Sequence, residues 1–173
     1  MYLTRLILKK DLSLEAQKWG ISNLMCILEA IINEPEVSAL LLSYLEILES
    51  ALQAQIASLT YLIASSSEAF INVFQTVFGS LKSDVEMLKG EIDNVVNPLK
   101  NNAYLNNKCG KTVVFQILKW ADDSLNTLSA SMDNAQFLTS KANLTVENNL
   151  AKLNDLQEKL KFVQKLKEYI KDP

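Results

Sequence analysis

The scarcity of helix-breaking residues is the feature that most constrains how this chain folds. Its 173 residues include four Gly and three Pro, and neither type occurs from Glu36 to Phe78 or from Lys111 to Asp172. Both stretches are rich in Leu, Ala, Glu, Lys and Gln, which have high helix propensity. No segment alternates apolar and polar residues between turn signals, as a strand of a sheet does. The sequence therefore predicts long α-helices and no sheet.

Apolar residues recur at spacings of three and four in both long stretches. The clearest seam passes through Val85, Leu88 and Ile92, and such heptad spacing is typical of helices that pack as in a coiled coil. Around residues 37–63 two seams run side by side, so a helix there contacts more than one neighbour. We therefore predict an all-α fold, an antiparallel bundle of about five helices with heptad packing, in a single domain over residues 1–173.

Capping residues set the boundaries of these helices. Asn33 is suited to be an N-cap, Pro35 fits a first helical turn, and Glu36 completes a capping box. Ser65 and Glu68 form a second box, which predicts a break near residue 65. The predicted helices are 13–33, 35–64, 66–97, 112–139 and 143–171.

Residues 97–111 are predicted to be the loop that separates the two halves of the chain. This segment holds Pro98, Gly110 and five Asn residues, which favour turns over helices. The alternative fold has only two helices of about 60 residues each, in a hairpin about 90 Å long. We favour the compact bundle, because the apolar arcs are broad and helices of that length are rare.

The composition removes several functional classes. Without histidine, the chain has no Ser-His-Asp or Cys-His arrangement, no HExxH zinc motif and no Glu-x-x-His di-iron site. Its 17 basic and 20 acidic residues are mixed along the chain, without the basic stripe that binds nucleic acid. We therefore expect no enzyme, no catalytic residue, no metal, no cofactor and no nucleic-acid partner.

The two cysteines, Cys26 and Cys109, leave the redox compartment open. They lie 83 residues apart, a separation that fits no metal or CxxC spacing, so they form either one disulfide or two free thiols. Residues 1–10 combine a short apolar run with basic side chains and do not resemble a signal peptide. If the protein is secreted after removal of a leader, Asn143 is a candidate glycosylation site.

The candidate binding site is a segment almost without charge. Residues 50–81 hold one charged side chain, Glu68, which we interpret as a helix cap rather than a pH-sensitive carboxylate. Within residues 56–78 the outward positions are Ser, Thr, Ala, Gln and Asn, where a solvated helix carries charge. The alternative is that both arms of this segment are ordinary bundle core. The candidate binding residues are Leu59, Tyr61, Leu62, Ile63, Phe70, Ile71, Phe74 and Phe78.

Two functions are compatible with this pattern. The first is a non-enzymatic helical-bundle protein that binds a protein partner or a second copy of itself. The alternative is a membrane-active or lipid-carrying protein that uses the charge-poor hairpin 56–78, each arm of which is shorter than the roughly 20 apolar residues that span a bilayer. The pattern is similar in a general way to exchangeable lipid-carrier bundles, helical pore-forming toxins and helical cytokines, and no motif selects among them.

Overall fold

The computed structural model describes the backbone of residues 2–64, 68–133 and 146–171, and the side chains of residues 6–60, 82–129 and 150–171. Over these residues the chain forms seven α-helices and no strand, so the all-α class is confirmed and the number of helices exceeds the five predicted. The helices are α1 Tyr2–Lys18, α2 Leu24–Asn33, α3 Pro35–Ala64, α4 Glu68–Lys100, α5 Ala103–Cys109, α6 Lys111–Asp133 and α7 Val146–Lys171.

Helix α3 has the broadest buried surface, because it is apolar on two adjacent faces. One of its seams buries Leu41, Leu45 and Leu48, and the other buries Tyr44 and Ile47. The helix packs against α2, α4, α6 and α7. In the alternative two-helix hairpin, α3 and α4 would be parts of one helix. They instead pack against each other, so the hairpin is excluded.

One hydrophobic core takes side chains from all seven described helices. The second half of the chain contributes through α6 and α7, whose buried side chains recur at spacings of three and four. An ion pair between Lys167 and Glu49, with 3.1 Å between Nζ and Oε1, also joins α7 to α3. Representative core residues, one from each helix in chain order, are Leu12, Ile27, Leu45, Ile92, Leu105, Leu118 and Phe162.

The N-terminal region differs from the single helix predicted over residues 13–33. Helix α1 begins at Tyr2, and a turn over residues 19–23 separates it from α2. In this turn Gly20 has a φ of 78° and Asn23 a φ of 56°, both in the left-handed region that Gly and Asn tolerate best. These two residues therefore end one helix and begin another where the apolar pattern alone suggests continuity.

Most of the predicted loop over residues 97–111 is helical. Helix α4 continues through Pro98 to its end at Lys100, so the proline lies in the last turn. Pro98 cannot donate a hydrogen bond to the carbonyl of Asn94, four residues earlier. Asn94 is exposed to solvent, which allows water to take the place of the missing donor.

Two asparagines have roles opposite to those predicted. Asn33 is the last residue of α2 rather than the N-cap of α3, and its Nδ2 donates to the carbonyl of Glu29 at 3.3 Å. Asn102, predicted to lie in a loop, is the N-cap of α5, and its Oδ1 accepts a hydrogen bond from the backbone N–H of Leu105 at 2.9 Å. Because Leu105 is buried, tertiary packing favours the helix at this Asn-rich sequence.

Candidate functional site

The exposed positions of α3 carry no charge after Glu46. Ser50, Gln53, Ala57 and Thr60 are exposed there, and their spacing of three and four residues places them in one row along the helix. These four residues are here called the uncharged face of α3. The exposed positions of α7 are charged every few residues instead, at Lys152, Asp155, Glu158, Lys161, Lys165 and Glu168.

The other polar side chains of this part of α3 face inward. Ser58 is buried, with 5% of its surface exposed. Gln55 accepts a hydrogen bond at Oε1 from the hydroxyl of Ser124 on α6, which is itself buried. The polar residues of this part of α3 thus divide into an inner set, in which Gln55 pairs with α6, and an outer set that forms the uncharged face.

The structure describes the side chain of one of the eight predicted binding residues. That residue, Leu59, is half-buried beside the uncharged face. The role of the other seven stays a prediction, as do the cap at Glu68 and the sequon at Asn143. The predicted binding residues whose side chains lie outside the described part are Tyr61, Leu62, Ile63, Phe70, Ile71, Phe74 and Phe78.

Residues 35–60 of α3 are long and apolar enough to cross a membrane, with a mean hydropathy of 1.3 over an 18-residue stretch. Among the described helices this is the only one with that property. Val37, Leu41 and Leu52 of this segment are buried in the protein core. A central helix of a bundle has the same composition for that reason, so apolarity alone does not distinguish the two roles.

A cleft of about 380 Å³ lies between α3 and α4 and adjoins the uncharged face. The two share Ser50. Glu46 and Glu91 make the cleft acidic, while Ile47 and Leu88 supply apolar surface. The uncharged face is therefore bordered on one side by carboxylates.

A disulfide joins Cys26 on α2 to Cys109 at the end of α5, with the two Cα atoms 5.6 Å apart. The sequence left open whether these two cysteines form a disulfide or two free thiols, and the structure has the disulfide. Gly110 follows with a φ of 83°, and α6 begins at the next residue. The bond therefore ties the junction of α5 and α6 to α2.

An aromatic cluster joins the end of α1 to α6 and α7, and no pattern in the sequence predicts it. The ring centroids of Trp19 and Trp120 lie 6.3 Å apart, and those of Trp120 and Phe162 lie 5.8 Å apart. The ammonium of Lys159 lies 5.2 Å from the centroid of the Trp19 ring and 6.0 Å from that of Trp120. The contacts of Lys159 with the two rings are cation–π interactions. Together with the ring contacts they hold the end of α1 against α6 and α7, so the role of the cluster is structural.

Tyr44 is a buried tyrosine that bonds to the backbone of α6. Its hydroxyl donates to the carbonyl of Ile117 and accepts from the N–H of Ala121 at 3.0 Å. Burial raises the pKa of Tyr44 above its usual range, the charges of Asp122 and Asp123 add to the rise, and the Ala121 N–H opposes it. The phenol is therefore neutral and structural, and both aspartates are exposed to solvent, on a solvated face.

Within the part of the chain that the structure describes, no three Cys, Asp or Glu side chains converge as a metal site would require. No protein-family model, no curated protein and no solved structure matches this chain.

Proposed function

We propose that this protein is a non-enzymatic helical-bundle interaction protein and that a second copy of the chain docks on the uncharged face of α3. The observation that carries the proposal is the row Ser50, Gln53, Ala57 and Thr60, which is exposed and uncharged on a helix that is otherwise largely buried. The small side chains of Ser50, Ala57 and Thr60 allow close approach of another helix. Covering the row removes no charged group from water, and such removal is what most penalises an interface.

A second copy is the occupant that best fits the size of this face. Residues 50–60 make three turns of helix, about 15 Å, which is a small contact for an unrelated partner. In a symmetric dimer each copy supplies the same patch, so the contact is doubled without further sequence requirements. The carboxylates of Glu46 and Glu91 at the border of the face favour one relative orientation of the copies, because like charges avoid each other.

The finer architecture is part of the same proposal. We propose a single-domain bundle in which heptad seams mediate the helix contacts. The support for it is the shared core, together with the burial of Val85, Leu88 and Ile92 on α4 at the spacing expected of such a seam.

The test of self-association is sedimentation equilibrium over a range of protein concentrations. We expect the wild-type chain to dimerise, and we expect Gln53→Lys and Ala57→Lys to weaken the dimer by roughly tenfold or more, since each places a pair of like charges in the interface. Gln157→Lys, at an exposed position of α7, adds the same charge elsewhere and is the control. A wild type that stays monomeric, or lysine variants that dimerise as well as the control, would contradict the proposal.

The second candidate function is binding of a membrane or another apolar ligand. The apolar composition of α3 over residues 35–60 favours it. Flotation with phosphatidylcholine vesicles, with and without phosphatidylglycerol, separates the two functions. An interaction protein stays in the unbound fraction. Vesicle binding by the wild type that is lost in Gln53→Lys and kept in Gln157→Lys would favour the membrane function instead.

A further inference from the structure

A second cleft, of about 390 Å³, lies at the junction of α4, α5 and α6. Its charge is opposite to that of the cleft between α3 and α4, because it contains two lysines and no carboxylate. It shares no residue with the uncharged face of α3, so a ligand bound there is independent of the proposed function. The residues that line it, here called the basic pocket, are Lys100, Asn106, Lys111, Thr112, Val114 and Phe115.

One side of the basic pocket is suited to a negative charge. Lys111 and Thr112 begin α6, so their backbone N–H groups have no carbonyl partner within the helix, and the helix dipole adds positive potential there. The ion pairs found among the described residues involve neither Lys100 nor Lys111. In this part of the chain, two ammonium groups and a helix N-terminus therefore converge without a protein carboxylate to neutralise them.

The other side of the pocket is apolar. Phe115 is 49% exposed, and Val114 beside it is buried. The ammonium of Lys100 lies 5.5 Å from the centroid of the Phe115 ring, and this cation–π contact holds the charge at the edge of the pocket. An exposed aromatic ring next to a fixed positive charge is a surface for a flat apolar group that carries an anion.

The side-chain oxygen of Asn106 has no hydrogen-bond partner among the described residues. The Nδ2 of Asn106 donates to the carbonyl of Lys100 at 2.7 Å, which fixes the orientation of the amide. Its Oδ1 is shielded from solvent and has no hydrogen-bond donor among the described residues. Unsatisfied buried acceptors are rare in native proteins, and this one lies behind the wall of the pocket, where it adds negative polarity but no direct contact for a ligand.

We propose that the basic pocket binds a small organic anion. Its carboxylate lies between Lys100, Lys111 and the first turn of α6, and its flat apolar body packs against Phe115. The volume of the pocket lies in the range usual for small-molecule sites. Lysine charges and helix N–H groups select for the anion, and the ring selects for an aromatic body.

The first test compares two probes that differ in charge, naphthalene-2-carboxylate and the neutral naphthalene-2-carboxamide. We expect saturable binding of one carboxylate per chain in isothermal titration calorimetry, with the carboxamide weaker by about tenfold, because charge-assisted contacts are lost. Added salt is expected to weaken binding of the carboxylate and to leave that of the carboxamide nearly unchanged. Equal affinity for the two probes, or no saturable binding of the carboxylate, would overturn the proposal.

The second test locates the site. Lys100→Gln and Lys111→Gln are each expected to weaken binding of naphthalene-2-carboxylate by roughly tenfold, whereas Lys108→Gln is not. Lys108 is an exposed lysine of α5 outside the lining of the pocket, so it is the matched control. All three are surface changes, and thermal melts verify that the variants fold. An equal loss of affinity in all three variants, or no loss in any of them, would refute the assignment.

Discussion

Two glycines of this chain differ in backbone conformation, since Gly110 has a positive φ and Gly90 is helical. Gly110 has a φ of 83° between α5 and α6, where a residue with a Cβ atom is strained. Gly90 lies inside α4 and is exposed, and a Cβ atom built on it meets nothing within 4 Å. Gly90 therefore costs helix stability without any close packing in return.

We expect Gly90→Ala to raise the free energy of unfolding by about 0.5–1 kcal/mol, because alanine has the higher helix propensity and restricts the unfolded chain. Gly110→Ala is expected to lower it by about 1–2 kcal/mol, owing to the left-handed backbone. Urea denaturation of both variants measures the difference. A destabilised Gly90→Ala would mean that this side of α4 is covered in solution.

The ionisation of Tyr44 is coupled to folding. Burial raises its pKa above the usual value of 10.0. The folded protein therefore keeps the phenol neutral at pH values where the unfolded chain ionises it. The stability linked to this group is complete below about pH 10 and is lost as the pH rises further.

We expect the free energy of unfolding to fall more steeply above about pH 10 in the wild type than in Tyr44→Phe, which has no hydroxyl to ionise. At neutral pH the same substitution is expected to cost only about 1 kcal/mol. The cost is small because Ile117 and Ala121 stand four residues apart on α6 and can bond to each other. Urea titrations on both sides of pH 10 test both expectations, and parallel pH profiles would contradict the first.

At the scale of the elements, the sequence predicts the start of α3 correctly, although Asn33 ends α2 and does not cap α3. Helix α3 begins at Pro35, as predicted, and α3 and α4, which lie on either side of the break predicted near residue 65, are separate helices that pack against each other. The prediction of a loop over residues 97–111 is wrong because Asn can cap a helix or lie inside it as well as form a turn. Asn102 caps a helix and Asn106 lies inside it, a difference that depends on burial of α5 against the rest of the molecule.

The candidate sites were visible in the sequence to different degrees. The lack of charge on the outer side of α3 follows from periodicity, because the apolar seams reveal which positions face outward. The basic pocket could not be inferred in this way. Lys100 and Lys111 come from different helices, and they are brought together by α5, within the segment predicted to be a loop.

The disulfide is expected to hold α5 in place, because a helix of seven residues is not stable alone. Closing a span of 83 residues contributes roughly 4 kcal/mol in the loop-entropy model. We expect the double variant Cys26→Ala, Cys109→Ala to lose about that amount in urea denaturation, and reductant to produce the same loss in the wild type.

Counting thiols provides an independent check of the pairing. Protein purified from its native compartment is expected to show no reactive thiol before reduction and two afterwards. Two reactive thiols in the unreduced protein would remove the disulfide and indicate a reducing environment.

At the scale of the whole molecule, the small net charge of −3 does not mean that charge is spread evenly. Along α4, acidic and basic side chains line different clefts. Glu91 lines the acidic cleft against α3, and Lys100, at the end of the same helix, lines the basic pocket against α5 and α6. One helix thus contributes to two surfaces of opposite charge. Both surfaces lie on the C-terminal part of α4, so ligands of opposite sign are expected to bind there at neighbouring but separate sites.

The shared core predicts that the chain unfolds as one unit. Trp19 belongs to the first half of the sequence, whereas Trp120 and Phe162 belong to the second, and the three rings are in contact. Tryptophan fluorescence therefore reports contact between the halves, while far-UV circular dichroism reports helix throughout. We expect the two signals to change together in a single urea transition, as in a two-state domain. If the halves on either side of residues 97–111 were independent, fluorescence would change at a lower urea concentration than helix content does, and the single-domain architecture would be wrong.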